Sequence, residues 1–212
     1  MDSFNLLKGF LILWVIVGHK YLNYNVGAVN AVYDSIVGRS LGMGTMPAFF
    51  IIAGMTFRAM APKKCLSKTF GELIKPYLYV MVAFAVCFPV MHYLVFKWWP
   101  GALRESTRYI LAFLLGVPKD GKLVLGYELY TNTSVWFFIA LFNSLNLLNL
   151  LSKLKSEKLR AIIVVFATVC GYILGIRDIN YYCLPQSLIA VGYCYVGYLI
   201  KQYKLHASKY VR

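Results

Sequence analysis

Long apolar runs separated by short polar segments dominate this chain of 212 residues. A helix needs about 20 mostly apolar residues to cross the hydrocarbon core of a bilayer, and six runs approach that length. They predict spanning helices over residues 6–22, 45–60, 76–96, 134–151, 159–176 and 184–200. The pattern therefore predicts an all-α fold, a polytopic bundle of about six transmembrane helices in a single integral membrane domain over residues 1–212.

The segment 97–133, between the third and fourth predicted spans, is longer than an ordinary connection. It contains a shorter apolar piece, residues 109–117. That piece is too short to span, so we expect either a short re-entrant helix or an interfacial one.

Composition supports a membrane protein, because 60% of the residues are hydrophobic and only 14% are charged, against about 25% in soluble domains. The 22 Lys and Arg outnumber the 8 Asp and Glu. These cations concentrate in segments 57–75, 152–160 and after residue 200, which predicts that those segments and both termini are cytoplasmic. A multi-pass protein of the cell membrane accounts for the basic charge, and we expect no nucleic-acid partner.

Five cysteines occur without a CxxC pair. Three of them, Cys87, Cys170 and Cys194, fall within predicted spans, where cysteine acts as a small apolar residue. The sequence therefore predicts neither a metal site nor a disulfide framework.

Two ionisable residues lie in the first predicted span, Lys8 and His19. On a helix, a separation of 11 residues puts them on one face, about 16 Å apart along the axis. Ionisable residues inside a span indicate a functional site. His19 suits proton transfer near neutral pH, and Lys8 suits an anion clamp. A structural role also stays open for each residue. His19 would then be hydrogen-bonded to another helix, and Lys8 would mark the membrane edge.

Other polar and small residues offer further candidates. Arg104 and Arg108 would share a face if their segment is helical, and they suit an anionic acceptor as well as a solvated loop. Asn143, Asn146 and Asn149 are expected to join helices rather than to bind acceptor, and Ala53 with Gly54 should allow close helix approach.

Four stretches in order resemble the acyltransferase-3 family of integral membrane O-acyltransferases, in its fucose 4-O-acetylase-like branch. The first is Lys8-Gly9 followed by an apolar run that ends at Val17-Gly18-His19. The others are Pro47-x-Phe49-Phe50-x-x-x-Gly54, Lys75-Pro76-Tyr77 and Trp136-Phe137-Phe138-x-x-Leu141. The family usually has more spanning helices than six, so we expect this chain to lack the C-terminal helices and to be incomplete there.

The resemblance implies transfer of an acetyl or other acyl group from acetyl-CoA to a hydroxyl of a carbohydrate or glycolipid on the cell surface or for export. It implies that His19 acts as the catalytic base or takes up the acyl group. The donor's phosphates would then be held by Lys8, Arg58, Lys68 and Lys75, and the acceptor by Trp136, Arg104 and Arg108.

Non-catalytic functions stay open beside this one. A transporter or flippase subunit, an inactive truncated family member, and a membrane scaffold that binds anionic lipid all fit a basic polytopic chain. A transporter more often shows interrupted half-helices at matching positions of two halves, and the sequence does not show that pairing. Neither the acceptor sugar nor the oligomeric state follows from the sequence.

Overall fold

The computed structural model describes residues 6–7, 9–16, 36–118, 121–124, 126–131 and 135–203. The described residues of the first predicted span are helical, whereas Lys8 and His19 lie outside the described residues. Of the residues that the structure describes, 80% are helical, which confirms the predicted all-α class.

Seven α-helices follow from residue 36 onward in the described part of the chain. They are α1 (Ile36–Thr56), α2 (Pro62–Thr69), α3 (Lys75–Phe96), α4 (Trp99–Leu114), α5 (Trp136–Leu151), α6 (Glu157–Ile176) and α7 (Leu184–Gln202). A π-helical turn, Phe70–Ile74, joins α2 to α3. Two short strands, β1 (Lys122–Val124) and β2 (Tyr127–Leu129), pair antiparallel, with Val124 opposite Tyr127.

Two helical segments are long and apolar enough to cross a membrane among the residues described, Pro62–Phe96 and Glu157–Ile176. Two shorter apolar helices, Gly44–Thr56 and Trp136–Leu151, fall below that length. The predicted count of six spans is therefore not confirmed. The second predicted span also differs in its bounds, since α1 begins nine residues before residue 45 and ends at Thr56.

The segment Pro62–Phe96 is one helical run that contains Pro76 and Pro89, and a π turn lies directly before the first of these prolines. Pro76 has no N–H to donate to a carbonyl one turn earlier, and its ring crowds that turn. The π turn Phe70–Ile74 lies directly before it, where its wider winding accommodates the missing bond. The predicted cytoplasmic connection 57–75 is thus mostly helical rather than extended.

Segment 97–133 carries more structure than its apolar piece predicted. Helix α4 begins at Trp99, ten residues before that piece, with a proline in its first turn. The hairpin of β1 and β2 follows, and Gly126 has a φ of 79°, a backbone conformation that tight hairpin turns require.

The chain divides into two compact units, Met1–Phe57 with Tyr193–Arg212, and Arg58–Gly192. In the first unit, the end of α1 lies directly against the second half of α7. A Cβ added at Gly54 would clash with the backbone of Cys194, and one at Gly197 would clash with the carbonyl of Ile51. The predicted close approach at Gly54 is confirmed, and it agrees with the small residues typical of membrane helix pairs.

In the second unit, aromatic rings fill the contact between α3 and α4. Phe88 and Tyr109 meet edge to face with ring centroids 4.7 Å apart, and Phe84 packs against Phe113 at 5.7 Å. The hydroxyl of Tyr77 donates to the carbonyl of Phe113 at 2.5 Å. These contacts hold α4 along α3 although α4 is only partly apolar.

Two asparagines of α5 join that helix to other helices, as predicted, and the third bonds to the connection that precedes α2. Asn143 Nδ2 donates to Ser187 Oγ of α7 at 3.0 Å. Asn146 Nδ2 donates to Thr69 Oγ1 of α2 at 2.9 Å, and Asn149 Oδ1 accepts from the Met60 N–H at 3.0 Å. Each amide satisfies a polar group that would be costly to leave unpaired in an apolar setting.

Candidate functional site

Three of the four basic residues predicted to hold the donor lie in one stretch of the second unit, and the fourth, Lys8, lies outside the described residues. Arg58 follows α1, Lys68 lies on α2, and Lys75 begins α3, and all three are exposed. Lys63 and Lys64 at the start of α2 are exposed as well. The stretch from Arg58 to Lys75 is therefore a surface that attracts anions.

One carboxylate partly offsets this charge. Lys68 Nζ lies 3.9 Å from Glu72 Oε1, and both side chains are more than half exposed. Such an exposed pair contributes little and is easily exchanged for another anion. Glu72 is the only acidic residue between Arg58 and Lys75, so most of the positive charge there stays uncompensated.

A cleft of about 260 Å³ opens beside this basic surface. It lies between the start of α2 and the last turns of α5, and its walls are mostly apolar. The lining residues are Pro62, Lys63, Leu66, Asn146, Asn149 and Leu150. Lys63 thus belongs both to the basic surface and to the cleft.

Arg108 lies in an intramolecular polar network rather than in open solvent. Its guanidinium lies 3.1 Å from Glu105 Oε2 and 3.6 Å from Glu128 Oε2. Its Nε donates to the carbonyl of Glu128 at 2.5 Å, and its NH1 group donates to the Tyr130 hydroxyl at 2.9 Å. The network ties the β1–β2 hairpin to α4.

Tyr130 completes this network and is perturbed by it. Its hydroxyl donates to Glu105 Oε2 at 2.5 Å. This hydrogen bond is the largest cause that raises the pKa of Tyr130 above its usual 10.0, and partial burial adds to it. The guanidinium of Arg108 also stacks over the tyrosine ring, 4.2 Å from its centroid.

The other predicted acceptor residues differ from Arg108 in their surroundings. Arg104 lies one turn earlier on α4, as the predicted shared face requires, and it is exposed. Trp136 begins α5, is half-buried, and meets Phe137 edge to face at 6.4 Å. Among the described contacts, none brings Trp136 to either arginine.

Several residues of these arrangements were missed by sequence reasoning. Glu105 could have been noticed, because a carboxylate three residues before an arginine faces it on a helix. Glu128 and Tyr130 could not, since only the hairpin returns them to α4. The cleft at Asn146 and Asn149 depends on the docking of α2, which no local signal predicts.

Among the residues described, no group of acidic, histidine and cysteine side chains could hold a metal ion. The described residues thus combine two helical segments long and apolar enough to cross a membrane with an exposed basic stretch and a small cleft beside it.

The family model described as "Acyltransferase domain", of the acyltransferase-3 family, matches residues 1–212, and the chain belongs to that family. The four motifs had indicated the same family. Membership places the chain among the membrane acyltransferases. Searches of curated proteins and of solved structures found no match.

Proposed function

We propose that this protein is a membrane O-acyltransferase that moves an acetyl group from acetyl-CoA to a hydroxyl of a cell-surface or exported carbohydrate. The observation that carries the proposal is the match of the family model along the whole chain. In this proposal the protein lies in the cell membrane with both termini on the cytoplasmic side, where acetyl-CoA is available.

The donor's phosphates bind the basic stretch in this proposal. Arg58, Lys68 and Lys75 are exposed and belong to one compact unit, and the family resemblance assigns Lys8 to the donor as well. Lysine ammonium groups bind phosphate as point charges, whereas the arginine guanidinium can form paired hydrogen bonds. The weak Lys68–Glu72 pair exchanges its carboxylate for a phosphate at small cost.

The chemical step is transfer of the acyl group to oxygen. His19 takes the proton of the acceptor hydroxyl as that oxygen attacks the thioester carbonyl. The carbon–sulfur bond then breaks, CoA leaves as a thiolate, and the proton passes to it from the imidazolium. General base catalysis of this kind contributes roughly 10²–10⁴-fold.

The acceptor binds through Trp136, Arg104 and Arg108 in the proposal. Trp136 offers an aromatic face at the start of α5, and the arginines offer positive charge for an anionic carbohydrate. Arg104 is exposed and free to contact an acceptor directly, whereas Arg108 already stabilises the hairpin.

Acetyl transfer from labelled acetyl-CoA to carbohydrate in membranes that carry the wild-type protein tests the function. We expect Lys75→Gln and Arg58→Gln to raise KM for acetyl-CoA several-fold with little change in kcat. Each substitution removes a positive charge that binds the donor's phosphates equally well in the ground state and in the transition state. Lys155→Gln is the matched control, because Lys155 is exposed but lies outside the stretch.

Two results would refute parts of this assignment. Absence of labelled carbohydrate with the wild-type protein would favour a transporter or an inactive family member. Equal KM values for Lys75→Gln and Lys155→Gln would show that the basic stretch does not bind the donor.

A further inference from the structure

Arg160 is a buried cation in the first turns of α6. It is 8% exposed, and its Nε is buried without a hydrogen-bond partner among the described residues. None of the ion pairs between described residues includes its guanidinium. Glu157, the only acidic residue between Ser152 and Arg160, has contacts of its own but no described ion pair with Arg160. The described carboxylates therefore leave the charge of Arg160 uncompensated.

A buried arginine in this state favours an anionic ligand. The guanidinium keeps its proton in proteins, so Arg160 cannot become neutral on burial as a lysine can. A buried charge without a counter-ion is strongly unfavourable. An anion bound at the guanidinium would remove that cost.

The N-terminal end of α6 lies next to this guanidinium. Side chains on a helix lean toward its N-terminus, so Arg160 extends over the first turn. The first N–H groups of a helix have no carbonyl partner within it, and the helix dipole makes that end positive. Ser156 satisfies two of these groups, since its Oγ accepts from the Leu159 N–H at 3.3 Å and its carbonyl accepts from the Arg160 N–H at 3.1 Å. The buried guanidinium and the helix end thus favour an anion at the same place.

Exposed lysines flank this end of α6. Lys153 precedes the helix and Lys158 lies in its first turn, and both are exposed. Lys153 also lies near α2, because its charge and that of Lys68 both act on the thiol of Cys65. The basic surface of α2 therefore continues to the start of α6, and it raises the local concentration of anions there.

The position of Arg160 along α6 indicates which anion is available. The helix Glu157–Ile176 is long and apolar enough to cross a membrane. Its lipid-compatible surface begins in the same turns, since Leu159 and Ile162 are 46% and 65% exposed. A residue at the end of such a helix lies at the depth of the lipid headgroups, where phospholipid phosphates are concentrated.

Arg160 faces the bundle rather than the open lipid surface. It shares one face of α6 with the buried Val164 and Ala167. Gly171 continues this face and packs against α7, because a Cβ there would lie 2.8 Å from the Cβ of Leu188. Basic pockets between spanning helices are typical sites for lipid headgroups.

We propose that the N-terminal end of α6 binds the phosphate of an anionic phospholipid, with Arg160 as the central contact. The guanidinium can form paired hydrogen bonds to two phosphate oxygens, and Lys153 and Lys158 add point charges. A free phosphate ion meets the same donors, but only a lipid also contacts the apolar surface at Leu159. The inference is independent of the proposed acyl transfer.

Thermal unfolding of purified protein in maltoside micelles, which contain no phosphate, tests the inference. Without lipid, we expect Arg160→Met to be at least as stable as wild type, because it removes an uncompensated buried charge. Added phosphatidylglycerol should raise the unfolding temperature of wild type but not that of Arg160→Met. Arg177→Met is the matched control, since Arg177 is exposed at the other end of α6 and should keep the wild-type response.

Native mass spectrometry of the same samples measures the affinity for phosphatidylglycerol. We expect Arg160→Met to weaken it roughly 10-fold and Arg177→Met to change it by less than about 2-fold. Arg160→Lys keeps the charge but loses the paired hydrogen bonds, so it should weaken binding by an intermediate factor. This variant decides the test if Arg160→Met does not fold, and wild-type affinity in it would then refute the site.

Two further outcomes would overturn the inference. If Arg160→Met lost the same stability with and without phosphatidylglycerol, Arg160 would serve the fold alone. If inorganic phosphate at the same concentration stabilised wild type as much as phosphatidylglycerol does, the ligand would be the free ion and not the lipid.

Discussion

Replacing Arg108 by alanine removes the centre of the polar network that ties the hairpin to α4. The guanidinium loses its ion pair with Glu105, its hydrogen bonds to Glu128 and Tyr130, and its stacking on the tyrosine ring. Arg104→Ala is the matched control, one turn earlier on the same helix and exposed.

The magnitude follows from burial. The side chains of Arg108 and Glu105 are 15% and 23% exposed, so their pair is largely shielded from water. Breaking a buried pair by removing one partner costs about 3–5 kcal/mol, and the remaining exposure lowers this to about 2–3 kcal/mol here. The pair with Glu128 adds little, because that side chain is 63% exposed.

Equilibrium unfolding of purified protein in mixed micelles measures the difference. We expect Arg108→Ala to lose about 2–3 kcal/mol, and Arg104→Ala to change stability by less than about 0.5 kcal/mol. In a thermal scan, the loss corresponds to roughly 4–12 °C for a chain of this length. Equal stability of the two variants would refute the network as a structural tie.

Three further predictions concern stability. Gly54→Ala should destabilise the protein by roughly 1–3 kcal/mol, whereas Gly44→Ala should be neutral or slightly stabilising, because a Cβ at Gly44 meets nothing within 4 Å. Asn149→Leu should cost about 1–3 kcal/mol in chemical unfolding by leaving a backbone N–H unpaired. The raised pKa of Tyr130 means that its contribution is complete below about pH 10 and is lost as pH rises through the folded-state pKa. The fall in unfolding free energy between pH 9 and pH 11 should therefore be smaller in Tyr130→Phe than in wild type, and equal falls would contradict this reading.

The apolar runs predicted the later helices well. Helices α3, α6 and α7 lie within two residues of the predicted bounds, because continuous apolar stretches between basic segments leave few alternatives. The hydrogen bonds from the asparagines of α5 and the close approach at Gly54 were also predictable. Between apolar helices, amide side chains form hydrogen bonds across the contact, and small residues let the two backbones approach closely.

Other elements could not be predicted because their signals are weak or nonlocal. The first turns of α1 contain Gly38, Gly42 and Gly44, which disfavour a helix in isolation. Helix α4 mixes polar and apolar residues, so an apolar-run criterion finds only its second half. The Arg108 network requires the β1–β2 hairpin, because only the hairpin brings Glu128, 20 residues later in the chain, back to α4.

The roles assigned to Lys8 and His19 stay predictions, because both residues lie outside the described part of the chain. Their shared helical face follows from spacing alone, and the helical residues 9–16 between them are consistent with it.

The most direct measurement is the rate of acetyl transfer from acetyl-CoA to carbohydrate by wild type, His19→Ala and His92→Ala, at equal protein levels in membranes. His92 is the control histidine, since it lies on α3 between the rings of Phe88 and Phe96. We expect His19→Ala to lower the rate at least about 10²-fold and His92→Ala to keep it near wild type. Equal rates for wild type and His19→Ala would contradict the central claim.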